Sequence, residues 1–223
     1  MTRTKLADRT LPRYSTGEER MNMITHIVGG AMGVLTLILC VWKPALRADA
    51  LAVTCGAVYG ITMVVLYTMS SVYHGLRPGM AKKVMQVLDH CTIYFLIAGT
   101  YTPIVMCSIR PLYPALGWGL LAWQWVLAVT ACVLTAIDLR RYRVFSMICY
   151  IGMGWSIIAF LPQAMEALGE AGFWLVFAGG VAYTIGAVLF GLGKKCKWMH
   201  SVFHIFVVLG SLLQMLAIVR YVL

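Results

Sequence analysis

Charge is what this chain has least of. Only 12% of its 223 residues are Asp, Glu, Lys or Arg, while 61% are hydrophobic. A water-soluble domain carries roughly a quarter of its residues charged, so that class is excluded and the chain reads as a membrane protein. Strict apolar/polar alternation, which a transmembrane barrel needs, is also missing; continuous apolar runs predict helices, which pair their own backbone groups in lipid. Paired cysteine spacing is absent as well: Cys40, Cys55, Cys91, Cys107, Cys132, Cys149 and Cys196 fall mostly inside apolar runs. They predict small buried residues, not a disulfide framework or a cysteine zinc cluster. Residues 1–22 contain no short apolar region with a small-residue cleavage site, so no removable signal peptide is expected. Nor is any linker long enough to separate domains.

What is present is a series of apolar runs, each long enough for a hydrocarbon core of about 30 Å. They cover approximately 23–42, 48–73, 85–107, 115–139, 144–161, 170–192 and 201–222. The fold class predicted is all-α, a seven-transmembrane helical bundle: a polar cytoplasmic segment over 1–22, then one seven-helix domain over 23–223. The net charge of +10 suits nucleic acid in amount but not in distribution. Arg3, Lys5, Arg9, Arg13, Arg20, Arg77, Lys82, Lys83, Arg140, Arg141, Arg143, Lys194, Lys195 and Lys197 fall on one side of the membrane in this scheme. Only Lys43, Arg47, Arg110 and Arg220 fall on the other. Basic residues stay cytoplasmic, so the N-terminus is predicted inside and the C-terminus outside.

Four glycines, Gly29 and Gly33 in the first run and Gly56 and Gly60 in the second, have the four-residue spacing that lets helices approach closely. Pro103 is expected to bend the third span or end its regular bonding, with Thr100 and Thr102 satisfying the freed backbone groups. The stretch 161–172, with Pro162, Glu166 and Glu170 and no basic residue, reads as an outer loop.

Ionisable groups in or beside membrane spans are costly, and each calls for a reason. All five histidines, His26, His74, His90, His200 and His204, lie toward the cytoplasmic ends of their spans, at one shared depth. His200 and His204 are one helical turn apart on one face, where two imidazoles can grip one ion. His74 supplies a third ligand from another helix, and Ser70, four residues earlier, shares its face. Asp89 is the sole carboxylate of the third run. Three imidazoles leave zinc one position open for water, whose pKa falls toward ~7 when metal-bound; Asp89 can then serve as general base and Ser70 can steady an oxyanion. Nitrogen ligands suit zinc over magnesium or calcium, with nickel and iron sharing the preference. Glu19, Asn22 and His26 share a face at the entry to the first span, positions for capping and headgroup contact or for orienting a ligand imidazole. The spacing alone does not choose whether His26 or His90 joins the ligand set.

At these residues the chain resembles the progestin and adipoQ receptor family, in its bacterial hemolysin III branch, over essentially its whole length. The likeness rests on Glu19, Asn22 and His26, on Ser70 and His74, on "LDHCTIYFLIAGTYTP" with Asp89, and on His200 and His204. It implies seven helices with a cytoplasmic N-terminus, and zinc bound by His74, His200 and His204 with Asp89 at the bound water and Ser70 beside it. It further implies hydrolysis of a lipid amide of the ceramide kind, with membrane lipids as partners. The eukaryotic receptors' longer N-terminal cytosolic domain is absent, so hormone reception is not implied.

The leading expectation is a zinc-dependent hydrolase of a lipid amide or ester at the inner leaflet. The alternative is a non-enzymatic, zinc-stabilised regulator of membrane homeostasis. A cytolysin is disfavoured by the charge pattern of a resident membrane protein. A transporter is disfavoured because the ionisable residues cluster at one end, away from the midplane.

Overall fold

After a single 3-10 turn, Leu6–Asp8, the first α-helix begins at a reciprocal cap. The Ser15 hydroxyl accepts from the Glu18 backbone N–H at 3.3 Å, and Glu18 Oε2 accepts from the Ser15 backbone N–H at 2.9 Å, an arrangement worth about 1 kcal/mol. Helix α1, Thr16–Ala45, therefore starts ahead of the apolar run expected from residue 23. A computed structural model describes residues 4–192 and 196–223. After α1 come α2, Ala50–Gly75, and α3, Met80–Pro103, extended by a π turn over Ile104–Ile109 and a single turn over Arg110–Leu112. Then follow α4, Pro114–Ile137, and α5, Arg143–Trp155, which runs through a 3-10 turn, Ser156–Phe160. Helix α6, Leu161–Leu192, and α7, Met199–Ala217 with a final π turn Ile218–Val222, complete the bundle. Among the described residues the protein is all-helical, without a strand.

Apolar residues face outward as well as inward. Val28, Val126, Val144, Ile148 and Val188 are each more than half exposed, the inverse of a soluble bundle and the surface a lipid solvent calls for. By length and composition six segments are apolar enough to cross a membrane, and the fifth and sixth expected runs fall in one of them, 143–191. Those 49 residues would stretch about 74 Å as one straight helix. They do not run straight. Gly169 takes φ 67°, ψ 164°, a combination reserved for glycine, and Trp155 Nε1 donates to Thr184 Oγ1 at 2.9 Å across that break. The chain thus doubles back at Gly169. The outer loop expected over 161–172 is helical on both sides of a break at Gly169, which falls within it, and Ala164 and Leu168 are buried on that helix.

Close approach of α1 and α2 follows from their glycines. A Cβ on Gly56 would lie 2.2 Å from the Cys40 carbonyl oxygen, and one on Gly60 would lie 2.5 Å from Leu37 Cα, so only hydrogen fits there. Pro103 does end α3, but Thr100 and Thr102 donate to the carbonyls of Leu96 and Ala98 at 2.7 and 2.8 Å. They do not take the role expected of them at Gly99, the carbonyl that the proline leaves without its helical donor.

The two ends of the bundle differ. At one, Glu19 meets Lys82, Trp198 N–H donates to Glu18, and Thr4 N–H donates to Asp138. At the other, Lys43 donates to the Val219 carbonyl and Arg47 to that of Leu223. Helix α1, about 45 Å long, joins them. Arg3, Lys194 and Lys195 of the charge count lie outside the described residues.

Candidate metal centre

Helices α2 and α7 bring three imidazoles together beside α1, at the Lys82 end of the bundle. His74 closes α2; His200 and His204 sit one turn apart at the start of α7. His200 Nε2 lies 3.3 Å from His74 Nε2 and 3.2 Å from His204 Nε2, and one nitrogen from each ring falls within 4.8 Å of the others. Nitrogens bound tetrahedrally at about 2.05 Å stand roughly 3.3 Å apart, so the donor set fits zinc. Burial is consistent with that use: His74 and His204 are 3% and 2% exposed.

The second nitrogen of two of these rings is held. His74 Nδ1 donates to Glu19 Oε2 at 2.7 Å, and Glu19 Oε1 accepts from Lys82 Nζ, also at 2.7 Å. His204 Nδ1 donates to the Asn22 carbonyl at 3.1 Å, while Asn22 Oδ1 accepts from Ser201 Oγ at 2.6 Å. With Nδ1 carrying hydrogen, Nε2 keeps its lone pair for an ion. His26 stacks face to face on His204, centroids 3.6 Å apart and planes 12° off parallel. It touches His204 by packing alone, and both its nitrogens are buried without a hydrogen-bond partner among the described residues.

Ser70, Asp89 and His90 line one cavity with His26, His200 and His204, about 590 Å³ in volume. It has apolar walls, including Leu66, Ile93, Ile97 and Val207, and reaches as deep as Gln214. On α7, residues 200 and 214 lie about 21 Å apart along the axis, so the chamber is long, polar at one end and greasy along its length. No direct bond joins Asp89 to the three imidazoles. Its ionic neighbour is His90, Nδ1 to Oδ2 3.6 Å; Glu19 takes Lys82 and the Ala7 carbonyl takes Lys83. His90 Nδ1 itself donates to the Gln86 carbonyl at 2.8 Å.

Sequence reasoning missed Tyr14. Its ring stacks on His200, centroids 4.9 Å apart and planes 13° off parallel, and it lines the cavity. The segment carrying it is fastened at Asp138, which is 1% exposed and accepts from the Thr4 N–H at 2.8 Å and from the Arg140 and Arg141 N–H groups at 3.1 Å. These donors, Thr4 first, hold the Asp138 carboxyl below the usual aspartate range. No spacing rule joins residue 14 to residue 200; only the fold does.

Comparison with known proteins gives one consistent answer. A sequence profile of a family described as haemolysin-III related matches residues 14–215. "Hemolysin-3" of Bacillus cereus is 38% identical over 206 residues, 92% of each chain. "Hemolysin-3 homolog" of Bacillus subtilis is 31% identical over 208 residues, 93% of this chain and 96% of that one. The human "Monocyte to macrophage differentiation factor" is 25% identical over 174 residues, 74% of this chain and 68% of the human one.

Proposed function

Since the chain belongs to the haemolysin-III related family of multi-pass membrane proteins, we propose that it is a zinc-dependent hydrolase of a lipid amide or ester. It would act at the cytoplasmic leaflet of a bacterial inner membrane. One observation carries this reading: of three converging imidazoles two, His200 and His204, line an elongated, largely apolar chamber that also holds a carboxylate and a hydroxyl.

Seven crossings are the topology we infer. The reversal at Gly169 splits the long fifth segment into two lengths, 143–168 and 170–192, each of which covers about 30 Å. Helix α1 also starts at the end of the bundle opposite to that where α7 finishes, in keeping with an odd number. The excess of Lys and Arg at the Asp138 end makes that end cytoplasmic.

His74, His200 and His204 would hold the ion. Zinc bound there supplies Lewis acidity and a water of lowered pKa. The apolar walls take the acyl chain and exclude bulk water. Ser70 Oγ–H donates to the scissile carbonyl oxygen as charge builds on it. Asp89 accepts a proton from the attacking water and returns it to the departing amine or alcohol. A carbon–oxygen bond forms, the carbon–nitrogen or ester carbon–oxygen bond breaks, and a fatty acid is released.

A second reading is a structural clip. It is favoured by the ligands lying on α2 and α7 while Glu19 and Asn22 tie both to α1, so that an ion would fasten three helices without turnover. The two separate on one experiment. Zinc-loaded protein in detergent is given a panel of N-acyl amides and acyl esters, and released fatty acid is measured by mass spectrometry. Product is expected from the wild type, falling at least about 10²-fold in Asp89→Asn with zinc content unchanged. A fully loaded wild type that releases nothing, or an Asp89→Asn variant that turns over normally, sinks the hydrolase reading.

A further inference from the structure

The three imidazoles are not held alike. Ligating histidines almost always donate their second nitrogen to an oriented acceptor, and His74 and His204 do so, to Glu19 and Asn22. His200 does not: its Nδ1 is buried with no hydrogen-bond partner among the described residues. Something other than a hydrogen bond must aim this ring. It is packed by aromatic rings, with Phe190 and Phe203 tilted against it at 5.4 and 5.6 Å and Tyr14 lying nearly parallel over it at 4.9 Å.

Phe203 belongs to the helix that carries His200, so it moves with its neighbour. Tyr14 belongs to a strap of chain outside the helices, ahead of the Ser15 cap. The strap crosses the bundle end and is tied down at three places. Thr4 N–H donates to the buried Asp138 carboxylate, Lys83 donates to the Ala7 carbonyl, and Arg9 Nη2 donates to the Ile137 carbonyl at 3.4 Å. That last contact sets a cation at the C-terminal end of α4, where the helix dipole favours it. These ties fix the near end of the strap, the capping box fixes the far end, and Tyr14 is pressed onto His200 between them.

We propose that Tyr14 is the positioning residue for the third ligand: its ring, held by the strap, orients the His200 imidazole, so that ion retention depends on strap docking at Asp138. This rests on the metal-site reading above. It adds a control that neither the ligand spacing nor the relatives' names contain. A strap that lifts would leave His200 free to rotate while the His74 and His204 supports stayed intact.

The test uses the full chain in detergent, with zinc itself as probe. Zinc affinity is measured by competition with a chromogenic chelator, release is followed after excess chelator is added, and cobalt absorption reports tetrahedral geometry. Tyr14→Ala is expected to weaken zinc 10- to 100-fold and to distort the cobalt spectrum. Tyr14→Phe, which keeps the ring, should stay within about twofold of wild type on the same scale. Asp138→Asn, remote from the ion, should speed zinc release. Unchanged affinity and release in Tyr14→Ala overturns the proposal, as does a Tyr14→Phe loss equal to that of Tyr14→Ala, which would make the hydroxyl the operative group. A wild type that takes up no zinc overturns the metal reading and this proposal together, an outcome distinct from either of the others.

Discussion

Glu19 bridges His74 and Lys82, with one carboxylate oxygen 2.7 Å from each. Lys82 is 2% exposed, and besides Glu19 its ammonium meets the Leu76 carbonyl at 3.0 Å and the face of the Tyr73 ring, 5.1 Å from the centroid. One carboxylate thus serves two purposes: it fixes the tautomer of the His74 ring and compensates a buried cation. Glu19→Gln keeps the shape but loses the charge, and its amide N–H₂ must face one of two donors. Zinc affinity is expected to fall 10- to 100-fold. Thermal stability should fall too, because a buried ammonium without its partner costs about 3–5 kcal/mol. Chelator competition and a melting curve on the same variant check both; unchanged values in either would separate the two purposes.

Helix packing makes a sharper prediction at Gly56. A methyl group there would sit 2.2 Å from backbone oxygen of the neighbouring helix, whereas at Gly119 nothing lies within 4 Å. Gly56→Ala should destabilise by about 1–3 kcal/mol, seen as a lowered Tm in detergent. Gly119→Ala should be neutral or slightly stabilising, since helix propensity alone acts there. Equal behaviour of the two variants would contradict the close approach of α1 and α2.

Gly169 tests the backbone without the sterics. No atom lies within 4 Å of a Cβ placed there, yet its φ of 67° is one that side-chain-bearing residues rarely adopt. Gly169→Ala should therefore cost on the order of 1–3 kcal/mol by strain alone. A variant that melts like wild type would argue against the sharp reversal between Trp155 and Thr184.

Metal removal gives a fourth outcome. An ion bound only by the folded chain adds stability as RT ln(1 + [L]/Kd), about 2.7 kcal/mol at a hundredfold excess over Kd. Stripping zinc should lower Tm in the wild type. His204→Ala should melt at the stripped value with or without added zinc. A zinc-dependent shift that survives in His204→Ala would place the ion elsewhere.

Much of this protein is legible in one dimension because lipid is an undemanding solvent to read. It requires long apolar runs and forbids unpaired backbone, so composition alone determined an all-helical membrane protein, and charge bias determined which loops share an end. The spacing of His200 and His204 determined that two imidazoles share a face, since helical periodicity is local. Where reading failed, the deciding contact was long-range or a matter of backbone angle. The stretch around Gly169 is helix broken by one positive φ and not an irregular polar loop. Lys82 pairs with Glu19 on another helix, a partner that no spacing within its own helix indicates. Only the tertiary structure decided that His74 meets α7, that His26 stacks on His204, and that Tyr14 covers His200 from a strap fastened at residue 138. Such pairings depend on which helices become neighbours, and no periodicity within one helix records that.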